Sequence, residues 1–160
     1  VSPRPDSASL PYRRGVGIAL FNADGLVFTA ERINTPGAWQ MPQGGIDRDE
    51  EPWPAALREL KEEIGTARAQ RLGETAWLRY DLPNYLVGHA WRGRYRGQEQ
   101  KWFAARFIGD DRDIDLTADK HPEFSSWRWR PLAELPSLIV PFKRAMYDQI
   151  VQAFADFAAD

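Results

Sequence analysis

Apolar and polar residues change their period several times along this chain. Gly17-Ile18-Ala19-Leu20-Phe21 and Leu26-Val27-Phe28-Thr29-Ala30 are short apolar runs on either side of Asn22-Ala23-Asp24-Gly25. An Asp-Gly between two such runs signals a β-hairpin. Trp39-Gln40-Met41-Pro42 is shorter and leads straight into Gly44-Gly45, so it reads as a strand that delivers a glycine loop, with the proline at an edge or strand end. Thr75 to Asp81 and Lys101 to Ile108 read as further strands, separated by a polar loop rich in Gly and Arg, and Trp127-Arg128-Trp129 reads as a last short strand.

Two segments carry a helical period instead. Ala56, Leu60 and Ile64 recur every four residues and form one apolar stripe. Glu50-Glu51-Pro52-Trp53-Pro54 supplies a start, since acids suit the positive end of the helix dipole and proline suits a first turn. Gly65 supplies the left-handed stop. From Pro141 onward Phe142, Ala145, Met146, Gln149, Ile150, Ala153, Phe154 and Phe157 follow helical spacing and predict one closing amphipathic helix. Strands, a helix, more strands and a final helix make a mixed α/β fold.

The central helix carries the chemistry. Glu59, Glu62 and Glu63 stand at i, i+3 and i+4, so their side chains meet, and each like-charged i,i+4 pair costs about 0.2–0.5 kcal/mol. A divalent cation reverses that penalty. Ligation by carboxylate oxygens alone suits a hard cation, Mg²⁺ or Mn²⁺, that shares its shell with substrate phosphates, and suits zinc less well. Glu62-Glu63 alone would read as a solvated face. The full spacing changes that reading: Gly44, five residues, Glu50, seven residues, Arg58-Glu59-Leu60, then Glu62-Glu63 and Gly65.

Composition narrows the setting. The chain has 160 residues, enough for one domain with a sizeable core, and residues 12–160 are expected to form it behind a loose Pro- and Ser-containing arm over residues 1–11. A formal net charge of -2 gives no global pull toward nucleic acid or an anionic membrane, so phosphate must be gripped by a local basic patch. With no cysteine there is no disulfide framework, thiolate nucleophile or Cys-type zinc site. No apolar run approaches membrane-spanning length, and Val1 to Pro11 lacks a signal-peptide core, so a cytoplasmic protein is expected. Neither DNA nor a membrane is an expected partner, and no protein partner is legible. His89 and His121 are too few and too scattered for a His-based metal site.

The Gly44 to Gly65 pattern resembles the signature of the Nudix hydrolases, which cleave nucleoside diphosphates linked to another moiety. Its last position departs from the family, with Thr66 where an aliphatic residue is usual. The resemblance implies an α/β/α sandwich around a mixed sheet. It also implies metal ligation by Glu59, Glu63 and Glu62, with the Gly44 carbonyl as a further oxygen ligand. Glu59 is the expected general base and Glu62 the second choice. Relatives draw another acidic ligand or base from a downstream loop, where Glu123 is the match, and an ordinary loop acid is the equal alternative. Glu50 and Arg58 are expected to pair and brace loop against helix.

Segments outside this box extend the resemblance: Tyr12-Arg13-Arg14, Trp39 to Gly45, Trp77 to Pro83, Gln100-Lys101-Trp102-Phe103, Pro122-Glu123-Phe124 and Pro141-Phe142-Lys143-Arg144. They are similar to the branch holding bacterial RNA 5′-pyrophosphohydrolases and the diadenosine tetraphosphate hydrolases of bacteria and plants. That similarity implies Arg13, Arg32, Lys101 and Lys143 as phosphate contacts, and Tyr80 or Phe142 beside a base. Arg92, Arg94, Arg96 and Lys101, interleaved with Trp91, Tyr95 and Trp102, form the densest basic-aromatic cluster, although Trp102 and Phe103 are expected to be core. The implied substrates are 5′-triphosphorylated RNA ends, placed first, and dinucleoside polyphosphates. The competing readings are an ADP-ribose or nucleoside triphosphate pyrophosphatase and a non-catalytic nucleotide- or RNA-binding module.

Overall fold

Gly15 to Phe21 is an unbroken run of buried residues, which places this strand at the centre of a sheet covered on both faces. The structure, a computed structural model, describes residues 7–159. Its strands are β1 (Tyr12–Phe21), β2 (Val27–Arg32), β3 (Trp39–Gln40), β4 (Gln43–Gly45), β5 (Ala69–Asp81), β6 (Gly97–Phe107) and β7 (Phe124–Arg130). Its helices are α1 (Pro52–Ile64), α2 (Leu135–Leu138) and α3 (Arg144–Ala153). The strands form one mixed sheet in the order β3-β2-β1-β6-β5, with β4 also paired to β1 and β7 to β2.

Alternation along the two central strands separates two cores. Val16, Ile18 and Leu20 of β1, with Phe103 and Ala105 of β6, face α1 and its buried Ala56, Leu60 and Ile64. Ala19, Phe21, Trp102 and Ala104 face Met146, Tyr147, Ile150 and Phe154 on the opposite side. The result is the expected α/β/α arrangement. Leu60 and Ile64, at 1% and 0% exposure, each stabilise the α1 interface by about 1.5–3 kcal/mol. Gly17 lies flat under Trp102, where a Cβ would come within 2.5 Å of the indole.

The strand and helix assignments hold, with three changes. The hairpin forms, its turn closed by Asn22 N–H donating to the Leu26 carbonyl at 2.8 Å and by Gly25 at φ 78°. Its strands, however, pair only at Phe21 and Val27. Beyond the turn β4 lies against β1 at Gly15–Gly17, and β2 instead takes β3 and β7. The main partner of β1 is β6, parallel to it over Tyr12–Phe21, a pairing that no local pattern announces. Second, β5 begins at Ala69 and β6 at Gly97, before the expected Thr75 and Lys101. Third, the single closing helix is a correction. A 3-10 turn at Pro141–Lys143 precedes α3, and Phe154 (φ -112°, ψ 14°) breaks it before a second 3-10 turn at Ala155–Phe157. The break lets Phe157 meet Phe21, at a ring-centroid separation of 6.3 Å, and lets Ala159 N–H reach the Gly25 carbonyl.

Residues 1–6 of the expected arm lie outside the described residues. From Leu10, which packs against the core, the chain is held, and the Pro11 carbonyl accepts a hydrogen bond from Arg96 N–H at 3.0 Å. Among the described residues, no helix is long and apolar enough to cross a membrane.

Candidate active site

The helix α1 starts at Pro52 after Glu51 and ends on Gly65, whose φ of 83° is the left-handed stop expected of it. Its apolar stripe fixes its rotation against the sheet, and that rotation aims Glu59 and Glu63 toward the glycine strand β4. Gly44 lies so close that a Cβ there would sit 2.1 Å from the Glu59 carboxylate. The absence of a side chain at Gly44 is therefore a requirement of packing, since its φ lies outside the left-handed region.

Arg58 organises the loop and the helix together. Its Nε and Nη2 donate to both oxygens of Glu50 at 2.8 and 2.9 Å, and Nη2 also donates to the Gly45 carbonyl at 2.9 Å. The expected brace is thus bidentate, and it holds the Glu50 carboxyl down at about 2 through the Arg58 hydrogen bonds and that of Asp47 N–H. The third nitrogen, Nη1, donates to Glu59 at 2.8 Å and reaches Glu62 at 3.4 Å.

Glu63 is the most deeply placed acid, only 7% exposed although it is charged by type. Burial pushes its carboxyl well above the usual range, and the charges of Glu123 and Glu59 push it further, against one hydrogen bond from Gln43 N–H at 3.3 Å. Burial likewise raises Glu59, while Arg58 pulls it back.

A cleft of about 490 Å³ opens over these acids. Glu59, Glu63 and Glu123 line it together with Gly44, and facing them are Arg13, Arg32 and Lys143, with Tyr80 and Phe142 beside them, ring centroids 5.8 Å apart. Arg32 Nε is buried with no hydrogen-bond partner. Lys143 is 8% exposed, and burial together with the Arg32 charge lowers its ammonium to about 8.

Two expected site residues stand elsewhere. Lys101 does not line the cleft: it pairs with Glu74 at 2.9 Å on the α1 side of the sheet. The cause is strand alternation, because Gln98, Gln100 and Trp102 take the cleft side of β6 and leave the odd positions to the other face. Glu62 is half exposed on the outer rim of α1, where Arg58 reaches it at 3.4 Å. Of the basic-aromatic cluster, Trp91 lines the cleft, while Trp102 and Phe103 are core as expected.

A glutamine network went unread in the sequence. Gln98 donates to the Tyr80 hydroxyl at 2.7 Å and accepts from Arg13 at 3.4 Å and from Gln100 at 3.1 Å. Gln100 donates to the Gln43 side chain and accepts from the Trp102 indole. The alternation Gln98-x-Gln100-x-Trp102 is the signal that marks these side chains as one inward row.

Among the described residues, no three acidic or histidine side chains are gathered tightly enough to enclose a metal ion as they stand. Glu59 spends its charge on Arg58 instead. The donor set nevertheless fits a hard divalent cation: all donors are oxygen, the buried Glu63 has no ion-pair partner among the described residues, and the bare Gly44 backbone lies directly against the Glu59 carboxylate. An ion at Glu59 would have to take the place of the Arg58 guanidinium.

The NUDIX domain family matches residues 11–150 of the chain. The chain belongs to the Nudix family. The chain is 58% identical to a protein of Rhodospirillum rubrum named RNA pyrophosphohydrolase, over 99% of this chain and 97% of that one. It is 53% identical to a protein of the same name from Gluconacetobacter diazotrophicus, over 96% and 97%. Among solved structures, a C. elegans Ap4A hydrolase in a binary complex superposes with a TM-score of 0.62 at 19% identity, covering 89% of this chain and 98% of its own. A MutT protein from Methanosarcina mazei superposes at 0.66 and 17%, covering 91% and 96%. These two show that the Nudix fold is shared.

Proposed function

We propose that this Nudix protein is a Mg²⁺-dependent RNA 5′-pyrophosphohydrolase, with Mn²⁺ as a substitute ion, that removes pyrophosphate from triphosphorylated RNA ends in the cytoplasm. The observation that carries the reading is the apposition across one cleft of three carboxylates, Glu59, Glu63 and Glu123, and three cations, Arg13, Arg32 and Lys143. The names of its near full-length relatives support the same substrate.

Glu59, Glu63 and the Gly44 carbonyl hold the cation, with Glu123 and Glu62 as outer acids. When bound, the ion lowers the pKa of the attacking water and neutralises charge on the leaving phosphate. Glu59, the acid nearest the glycine strand, takes the proton from the water, and a positioned base of this kind contributes about 10²–10⁴ in rate. Arg32 and Lys143 grip the phosphates, and the unpaired Arg32 Nε gains its missing acceptor there. Tyr80, fixed by Gln98, and Phe142 form the apolar wall for the terminal base. A dinucleoside polyphosphate meets the same groups and is the second substrate.

The test is turnover with Mg²⁺ on triphosphorylated RNA, diadenosine tetraphosphate and ADP-ribose in separate reactions. RNA is expected to give the highest kcat/KM and ADP-ribose the lowest. Turnover of none of the three defeats the reading.

A further inference from the structure

A second cavity, of about 310 Å³, opens beside the cleft, and Arg13, Gly45 and Glu59 belong to the walls of both. Arg13 forms the saddle between them. Its guanidinium lies 5.4 Å from the Trp91 ring of the cleft, and Trp91 meets Tyr95 of the second cavity edge to face at 6.1 Å. An aromatic pair thus crosses the same ridge as the arginine. On the far side the lining continues with Tyr12 and Arg14, and Arg14 lies 4.4 Å over Trp77.

The charges here are not equivalent. Arg79 and Arg96 cover the Tyr12 ring at 4.7 and 4.8 Å, but they are neutralised by Glu99 at 2.7 Å and Asp81 at 3.3 Å. The acids of the cavity, Asp47 and Glu59, are both met by Arg58. Among the described residues Arg13 and Arg14 form no ion pair, although the Arg13 charge is felt at Glu59, so the greater part of their positive charge is spare and points to an anion.

We propose, building on the RNA reading above, that this second cavity carries the single-stranded nucleotide chain that follows the 5′ end, its phosphates on Arg13 and Arg14 and a base against Tyr95. Spare guanidinium charge interleaved with rings is the arrangement that holds single strands without reading their sequence. At its small size the cavity is a one-nucleotide step and not a groove for a duplex. A dinucleoside polyphosphate is too short to need it.

The experiment compares wild type with Arg14→Gln, Tyr95→Ala and the double variant. The substrates are diadenosine tetraphosphate, a triphosphorylated dinucleotide and a triphosphorylated single strand of about fifteen nucleotides. In parallel, binding of the same long strand with a 5′-hydroxyl is followed by fluorescence anisotropy at several salt concentrations. The double variant is expected to lose about tenfold in kcat/KM on the long strand. Its rate on diadenosine tetraphosphate, which also reports an intact fold, stays at wild-type level, while the dinucleotide, whose second nucleotide fills the same step, loses rate with the long strand. The binding assay is expected to show a shallower salt dependence, by about 0.7 for each phosphate contact removed. An equal loss on all three substrates, or none on the long strand, overturns the proposal. If wild type hydrolyses diadenosine tetraphosphate but no RNA, the functional reading fails on its own account. Long-strand binding unaffected by the double substitution then overturns the track as well.

Discussion

Gly44→Ala isolates the position of one carboxylate. The new Cβ would stand 2.1 Å from both Cδ and Oε2 of Glu59, against ordinary contact at 3.4 Å or more, so the carboxylate must retreat by about 1.3 Å. The backbone itself accepts alanine, since Gly44 is not among the residues with positive φ. A misplacement of about 1 Å in a reacting group costs on the order of 100-fold in rate. The variant is therefore expected to lose about 100-fold in kcat on triphosphorylated RNA, with a far smaller change in KM, because Arg32 and Lys143 are untouched. Its melting temperature should change little, as a tolerated Gly→Ala gains about 0.4–1 kcal/mol from the unfolded state, which offsets part of the local clash. Gly37→Ala is the control. It has open space around it but a φ of 89°, so it should lose some stability and no activity. Steady-state kinetics and thermal melts of the two variants make the comparison. A Gly44→Ala enzyme with near-normal kcat would show that Glu59 does not need its present place, and would remove it as the base.

Three further outcomes are expected. Burial raises the Glu63 carboxyl, so its contribution to stability is complete below the ordinary carboxylate range and is lost as pH rises through the raised value. Glu63→Gln should thus melt higher than wild type in EDTA at pH 8 and about equally at pH 4, while losing turnover and any thermal stabilisation that Mg²⁺ gives wild type; equal melting at pH 8 would refute the buried charge. The Lys143 ammonium, lowered to about 8 by burial, loses its charge as pH rises through that value, so kcat/KM should fall there, and the fall should be missing in Lys143→Gln. Tyr147→Phe removes the hydroxyl that accepts from the buried Met41 N–H at 3.0 Å, and should cost about 1–3 kcal/mol in denaturant unfolding with kcat preserved.

What the sequence revealed follows the range of the interactions. The helix α1 was legible end to end because its signals are local: Pro52 in the first turn, the Ala56-Leu60-Ile64 stripe and Gly65. The Glu50–Arg58 brace was legible from fixed spacing within the same segment. The parallel union of β1 with β6 was not, since it joins residues some eighty positions apart and leaves no periodic mark on either strand. That pairing sets which residues of β6 face the cleft. Lys101, expected at the phosphates from the resemblance, therefore lies on the opposite face, while Gln98 lines the cleft and Gln100 supports Gln98 and Gln43 behind it. The closing helix was drawn too long because Phe154 and Phe157 keep helical spacing through a break that only packing against Phe21 explains.

The burial of Glu63 and the contacts of Arg58 together describe a site arranged for an ion at some cost to the fold without one. The Glu63 carboxylate, at 7% exposure with Glu123 and Glu59 as like charges nearby, feels the Lys143 ammonium at longer range but forms no ion pair among the described residues. Arg58 is committed to Glu50, the Gly45 carbonyl and Glu59. Arg58 therefore keeps the glycine strand and Glu59 in register while leaving Glu63 unmet. On the proposed metal site, a divalent ion would supply the close positive charge that Glu63 lacks and would displace Arg58 from Glu59, leaving its bonds to Glu50 and Gly45 in place. The loop geometry would then persist while the Glu59 carboxylate changes partner.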